Sequence, residues 1–282
     1  MTKICIFLKK KFILILLFLG QNTFLGRGQI RKILIFILEN LLLNSKDRKN
    51  KSPLFICKIN STPFYFYADR NIGSKVWFGR NENYEIKFAK MILNNDFVFI
   101  DIGANFGLYT MNIAKNIFKY KKAKIISIEP EEINYQRLKK NIKILLKDNK
   151  NIFKQVFIEN CAIGDENQIK KLYLSHDNAA ASLLQTKDIQ SYVKVKQIRL
   201  FDIIKKHNLK KITLIKIDIE GFEDKALLNF FESANKNLYP KYIIIEHTNK
   251  KNWEINILKY LFKVGYRTIW KNNNNSIIEF KN

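Results

Sequence analysis

Glycine and proline are scarce in this chain, at 10 and 4 residues of 282, and cysteine and histidine are scarcer still, at three each. Cys5, Cys57 and Cys161 are widely spaced and form no C-x-x-C pair. That excludes a disulfide framework and a zinc knuckle, and a reducing cytosol is the simplest compartment. No apolar run is long enough to cross a bilayer. The longest near the amino terminus, Phe12–Leu19, ends after eight residues, and no small-x-small cleavage site follows it. Acidic residues are also few, 25 against 50 Lys and Arg, which leaves a net charge of +25. Such an excess ordinarily points to nucleic acid or an anionic surface. Lys, Ile and Asn are abundant throughout, however, and no aromatic RNA-binding pattern or long basic block accompanies the charge, so nucleic acid is not the expected partner.

What the chain does have is apolar content, 47% of residues, enough for a large core. Residues 1–51 carry 11 basic and two acidic residues. Two apolar segments there, around Phe12–Leu19 and over Ile30–Leu42, have helical spacing. They read as helices packed on the rest of the protein, as a peripheral contact of residues 1–45 with an anionic membrane, which would place the protein at the inner face of that membrane, or as a cleaved signal or a true anchor. The polar stretch SKDRKNKSP is the linker. LFICKI and FYFYA around NSTP read as a hairpin, and a helix follows through Ile86, Phe88, Ala89, Ile92 and Leu93. The expected organisation is a basic helical extension over 1–52, a hairpin and helix over 53–95, and one domain over 96–282.

From Phe97 the chain alternates strand and helix. FVFID, KIISIEP, VFIENCAIGD, ITLIKIDIEG and YIIIEHT are continuous apolar runs, as buried parallel strands require. Helices are expected from the glycine turn to about Tyr120, over Glu132–Lys147, over LFDIIKKH, over EDKALLNFFES and over Trp253–Phe262. YRTIW and SIIEF, joined by NNNN, form a terminal antiparallel hairpin. The fold class is α/β, Rossmann-like, with a mostly parallel seven-stranded sheet. Residues 170–200 read as an insertion lying over the site.

The turn Gly103-Ala104-Asn105-Phe106-Gly107 is not a dinucleotide fingerprint. Asn105 stands where the second glycine must admit a pyrophosphate, and Asp101 would repel one. An acidic residue there suits a cationic donor without phosphate, S-adenosylmethionine. Glu129 closes the second strand, placed to accept both ribose hydroxyls. Asn160, at the end of the third, reads either as an adenine contact or as a strand-end turn residue. In LIKIDIEGFE, strand alternation puts Lys216, Asp218 and Glu220 on one face, where three ionisable groups are costly unless they pair or react. His247 follows Glu246 at the end of the fifth strand. Asp218 and His247 are both candidate bases. Of the other histidines, His176 lies in the insertion within reach of a substrate, and His207 is expected in a solvated turn. Asp218, Glu220 and Glu246 could offer oxygens to a Mg²⁺, although no ligand spacing demands one.

The motifs D-I-G-A-N-F-G-L-Y-T at Asp101–Thr110, I-E-P at Ile128–Pro130, N-C-A-I-G-D at Asn160–Asp165 and K-I-D-I-E-G-F-E at Lys216–Glu223 together resemble the FkbM-type methyltransferases, from about residue 69 to 246. The resemblance implies a Rossmann-like methyltransferase fold, S-adenosylmethionine as donor, and O-methylation of sugar hydroxyls of surface glycans or of related natural products. By position it implies Asp101, Gly103, Asn105, Gly107 and Glu129 as donor-binding residues, with Asp218 and Glu220 as the floor of the site. Competing readings are an NAD-dependent oxidoreductase, which lacks its fingerprint and a Tyr-x-x-x-Lys pair; an RNA methyltransferase, whose Asn/Asp-Pro-Pro-Tyr motif is replaced here by I-D-I-E-G-F; and a binding module without activity. Neither the acceptor nor the oligomeric state is legible.

Overall fold

The computed structural model describes residues 3–22, 33–34, 36–37, 55–67, 83–174, 181–184 and 191–281. The contacts separate residues 1–84 from residues 85–282. The division falls ahead of most of the helix Asn83–Ile92, which the sequence grouped with the hairpin.

In the first unit, α1 (Lys3–Asn22) is one 20-residue helix. Strands β1 (Phe55–Ile59) and β2 (Thr62–Phe66) form the expected hairpin. Its two turn residues, Asn60 and Ser61, both have positive φ, at 50° and 64°. A two-residue turn of that hand matches the strand twist. The second apolar segment, Ile30–Leu42, falls almost wholly outside the described residues, as does the linker.

In the second unit, a seven-stranded sheet runs in the order β12-β13-β11-β10-β3-β4-β5. Its parallel members are β3 (Val98–Ile102), β4 (Lys124–Ile128), β5 (Val156–Glu159), β10 (Leu214–Ile217) and β11 (Tyr242–Glu246). The terminal strands β12 (Tyr266–Lys271) and β13 (Asn275–Phe280) form the antiparallel hairpin, and β13 inserts between β11 and β12. Helix α2 (Asn83–Ile92) is tied to that hairpin by the buried Glu85, whose Oε1 accepts from the side-chain amides of Asn272 and Asn275.

Alternation along the strands sorts the two faces. Val98, Ile100, Ile102, Ile126, Ile128, Ile215, Ile217, Ile243 and Ile245 point one way, into a core shared with α5 (Leu200–Lys206), α6 (Glu223–Ser233) and α7 (Ile257–Lys263). The opposite face carries one polar residue at the penultimate position of each of three adjacent strands: Asp101, Ser127 and Lys216. Parallel register sets Lys216 beside Asp101 and Asp101 beside Ser127.

Several elements differ from the sequence expectation. The third strand is two strands: β5 stays in the main sheet, and β6 (Ala162–Gly164) leaves it to join a second sheet in the order β6-β9-β7-β8. The insertion supplies the rest of that sheet, β7 (Gln168–Leu174), β8 (Ala181–Ser182) and β9 (Ser191–Arg199). Helix α3 covers only Leu108–Ala114 and gives way to a 3₁₀ turn at Ile117–Lys119, while α4 covers Glu132–Ile144. The last helix begins at Ile257 rather than Trp253, because Asn256 caps it by accepting from the Lys259 N–H. The indole of Trp253 is committed elsewhere, to Glu223 Oε2 at 2.8 Å. His207 is not solvated. It caps α5 with its ring nearly buried, Nε2 lying 2.8 Å from Glu159 Oε1. His176 lies outside the described residues.

Candidate active site

The turn after β3 is built from three left-handed residues in alternation: Gly103, Asn105 and Gly107, with φ of 73°, 53° and 96°. Asparagine tolerates this region, so Asn105 stands where glycine would otherwise be needed. Its side chain is turned back on the chain, Oδ1 accepting from the Phe106 N–H at 2.7 Å. Gly103 cannot be replaced for a second reason. A Cβ there would stand 1.9 Å from the main-chain oxygen of Asp218, so the turn and the end of β10 touch backbone to backbone. At Gly107 a Cβ would meet Leu138 at 2.5 Å.

Glu129 sits beneath the turn. Its Oε2 accepts from the Asn105 N–H at 2.7 Å and its Oε1 from the Glu131 N–H at 2.9 Å. A carboxylate offers about four lone-pair directions, so each oxygen retains one for a ligand hydroxyl. Burial pushes this carboxyl up to about 7 against those two hydrogen bonds. Asn160 is exposed, and its amide donates to the main-chain oxygens of Glu129 and Pro130 at 3.1 and 3.3 Å. It thereby fastens the ends of β4 and β5 together.

Asp101 is fully buried. Its Oδ2 accepts from the N–H and the hydroxyl of Thr110, at 3.1 and 2.7 Å, and that hydroxyl lies 2.6 Å from Ser127 Oγ. Oδ1 has no hydrogen-bond partner among the described residues and lies 3.9 Å from Lys216 Nζ. Burial raises this carboxyl above its ordinary range, opposed mainly by the Lys216 charge. The ammonium of Lys216 also donates to the main-chain oxygen of Gly103 at 3.0 Å and lies 3.5 Å from Asp218 Oδ2. Lys216 therefore links the buried aspartate, the glycine turn and the end of β10.

Asp218 and Glu220 do not share a strand face with Lys216, because β10 ends at Ile217. Beyond it the chain turns sharply through Glu220 and Gly221, with φ of 57° and 99°. Glu223 holds that turn, accepting at Oε1 from the Ile219 and Gly221 N–H groups at 2.8 and 3.2 Å. The result leaves Asp218 partly open, its side chain 28% exposed, beside the Gly103 turn. Glu220 Oε2 accepts from the Asn249 amide at 2.7 Å, and burial followed by the charges of Asp218 and Glu246 pushes its carboxyl up to about 8. The carboxyl of Glu246 is pushed up to about 7, first by burial and then by the charge of Asp218. Asp218, Glu223 and Glu246 can each bring an oxygen within 4.8 Å of the others. Glu220, named with Asp218 and Glu246 in the sequence reading of a metal set, is not in that group. His247 is buried, its Nε2 without a hydrogen-bond partner among the described residues, and burial lowers its pKa, which favours the neutral imidazole.

The second sheet closes over this turn. Phe222 packs with Ala162, Leu172 and Leu183, and Ser182 Oγ donates to the main-chain oxygen of Glu220 at 2.9 Å. Sequence reading missed four residues of the site: Thr110, Ser127, Glu223 and Asn249. Thr110 and Ser127 had a signal, a polar residue facing Asp101 from a helix start and from a neighbouring strand. Asn249 had none.

A parallel sheet closed by an antiparallel hairpin, with an acidic turn after its first parallel strand and an acid ending the second, defines a class I methyltransferase fold. Residues 101–268 match the family model of the methyltransferase FkbM domain, and the chain belongs to that family. It carries a methyltransferase domain of that family. Similar solved structures include a methyltransferase FkbM from Methylobacillus flagellatus KT, 19% identical over 66% of this chain and 44% of that one, with a TM-score of 0.41. This chain thus spans less than half the length of that relative. A putative O-methyltransferase from Klebsiella pneumoniae is 8% identical over 72% of this chain and 81% of its own, with a TM-score of 0.43. The TYW2 protein of M. jannaschii, solved in complex with AdoMet, is 17% identical over 80% and 86%, with a TM-score of 0.41. No curated protein matches the sequence.

Proposed function

We propose that this domain transfers a methyl group from S-adenosylmethionine to a hydroxyl oxygen, on a sugar of a surface glycan or a related natural product. The observation that carries the reading is the backbone contact between the Gly103 turn and Asp218, which brings a partly open carboxylate next to the donor turn. The donor fits the residues present. Glu129 keeps acceptor capacity for two ribose hydroxyls, and the turn from Gly103 to Gly107 has backbone but no side chain at its two ends. Bound there, the donor supplies a methyl carbon already activated by a sulfonium.

The chain's own part is then positioning and proton removal. Transfer joins the methyl carbon to the acceptor oxygen and breaks its bond to sulfur, and the hydroxyl proton must leave. Asp218 takes it. Lys216, 3.5 Å away, orients that carboxylate. His247, the other candidate base, is buried, whereas Asp218 opens toward solvent. Glu220, pushed up to about 8, and Glu246, pushed up to about 7, carry less negative charge near neutral pH than ordinary glutamates, which limits repulsion around Asp218.

A panel of glycan and small-molecule hydroxyl acceptors, read out by release of S-adenosylhomocysteine, tests the proposal. The account expects release with a hydroxyl acceptor, loss of at least about 100-fold in Asp218→Asn, and unchanged donor affinity. Turnover on RNA alone would move the acceptor to nucleic acid. Near-normal turnover in Asp218→Asn would move the base to His247.

A further inference from the structure

The catalytic account leaves α1 without a role, and its surface is unusual. Ile13, Leu16 and Leu17 are buried, and the helix packs against β1, with Lys10 Nζ 5.8 Å from the Phe55 ring centroid. The opposite face is also apolar, yet exposed: Leu8 is 59% accessible, Phe12 48%, Ile15 53% and Phe18 62%. These positions follow at i, i+4, i+7 and i+10, so they form one stripe. Lys11 stands four residues before Ile15 and seven before Phe18, and so lies in the same stripe. Every charge on the helix is positive, from Lys3, Lys9, Lys10 and Lys11, and no acidic residue occurs in it. At 20 residues the helix is about 30 Å long. Even so, no described helix is long and apolar enough to cross a membrane, because the three consecutive lysines interrupt its apolar sequence.

From this we infer that the exposed face of α1 lies in the plane of an anionic lipid surface, with Leu8, Phe12, Ile15 and Phe18 in the acyl boundary and Lys11 among the headgroups. A second copy of the chain fits less well, since pairing the stripes would bring two Lys11 ammonium groups together at a desolvated contact. An anionic interface answers both the apolar stripe and the positive charge of Lys11 within it, and a long lysine stem reaches the headgroup layer while its helix lies lower. The inference goes beyond the methyl-transfer reading and does not depend on it.

Co-sedimentation of the full chain with vesicles tests it, using phosphatidylcholine alone and phosphatidylcholine with one quarter phosphatidylglycerol. The expected result is binding to the anionic vesicles at least about tenfold stronger than to the neutral ones, weakened by raised salt. The double variant Phe12→Ser/Ile15→Ser should bind about tenfold more weakly, and Lys11→Glu should also weaken binding. All three side chains are exposed, so the fold should survive, checked by unchanged circular dichroism and S-adenosylhomocysteine affinity. Equal binding to both vesicle types, no binding to either, or undiminished binding of the double variant would each overturn the inference. So would a concentration-dependent dimer that the double variant abolishes without any vesicle binding, since the stripe would then join two copies.

Discussion

At the scale of single residues, the site depends on close approach more than on the number of polar groups. Gly103 combines a left-handed backbone with a contact that leaves no space for a methyl group. Gly103→Ala should therefore cost about 3 kcal/mol or more, from backbone strain and from displacing the Asp218 main chain together. Urea denaturation measures the loss, and a decrease below about 1 kcal/mol would show that the two segments part easily. Lys216 is the second such residue. It is nearly buried between two carboxylates, so Lys216→Met would strand Asp101 in the core without its neighbouring cation. Removing one partner of a buried pair costs about 3–5 kcal/mol. A double variant that also replaces Asp101 with Asn should recover part of that loss, and the absence of recovery would mean the two charges are not coupled.

At the scale of elements, the network Lys216–Asp101–Ser127–Thr110 depends on register. Each strand of the trio ends in the same pattern, one polar residue before a terminal isoleucine: F-I-D-I, I-I-S-I and L-I-K-I. Parallel pairing in phase lines them up. Thr110→Val, close in shape to the threonine, removes a hydroxyl from the buried Asp101 and should cost about 1–3 kcal/mol in the same denaturation assay. Parallel strands, the terminal hairpin and the acidic residues at strand ends were legible in the sequence because burial on both faces writes continuous apolar runs. That the turn is not a dinucleotide fingerprint was legible too, since Asn105 stands where the second glycine would be; the left-handed backbone that Asn105 adopts there was not. What followed β10 was not. Alternation carried Asp218 and Glu220 onward as strand residues, whereas the chain turns at Glu220 and Gly221 because Glu223, three residues past Glu220, captures the loop N–H groups. Period-2 reading contains no signal for where a strand stops. The departure of β6 from the main sheet was hidden for a similar reason: Asn160 and Cys161 interrupt a run whose apolar pattern continues on either side.

At the scale of the whole molecule, a chain of net charge +25 carries a cluster of carboxyls at its candidate site. Glu220 and Glu246 keep their protons up to about 8 and about 7, against an ordinary 4.5. Between those limits the folded protein binds more protons than the unfolded chain, so stability declines as pH rises from about 5 to 9. Melting temperatures at the two ends of that range should show the decline, and Glu220→Gln should shrink it by removing one of the titrating groups. An equal decline in that variant would assign the effect to other sites. The donor site we propose is formed by the Gly103–Gly107 turn and Glu129, where S-adenosylmethionine binds. Calorimetric titration with S-adenosylhomocysteine, alongside NAD⁺ and with Glu129→Ala as the control, tests it most directly. The account predicts binding of S-adenosylhomocysteine in the micromolar range, lost in Glu129→Ala, and no binding of NAD⁺. Binding of NAD⁺ in its place, or undiminished S-adenosylhomocysteine affinity in Glu129→Ala, would contradict it.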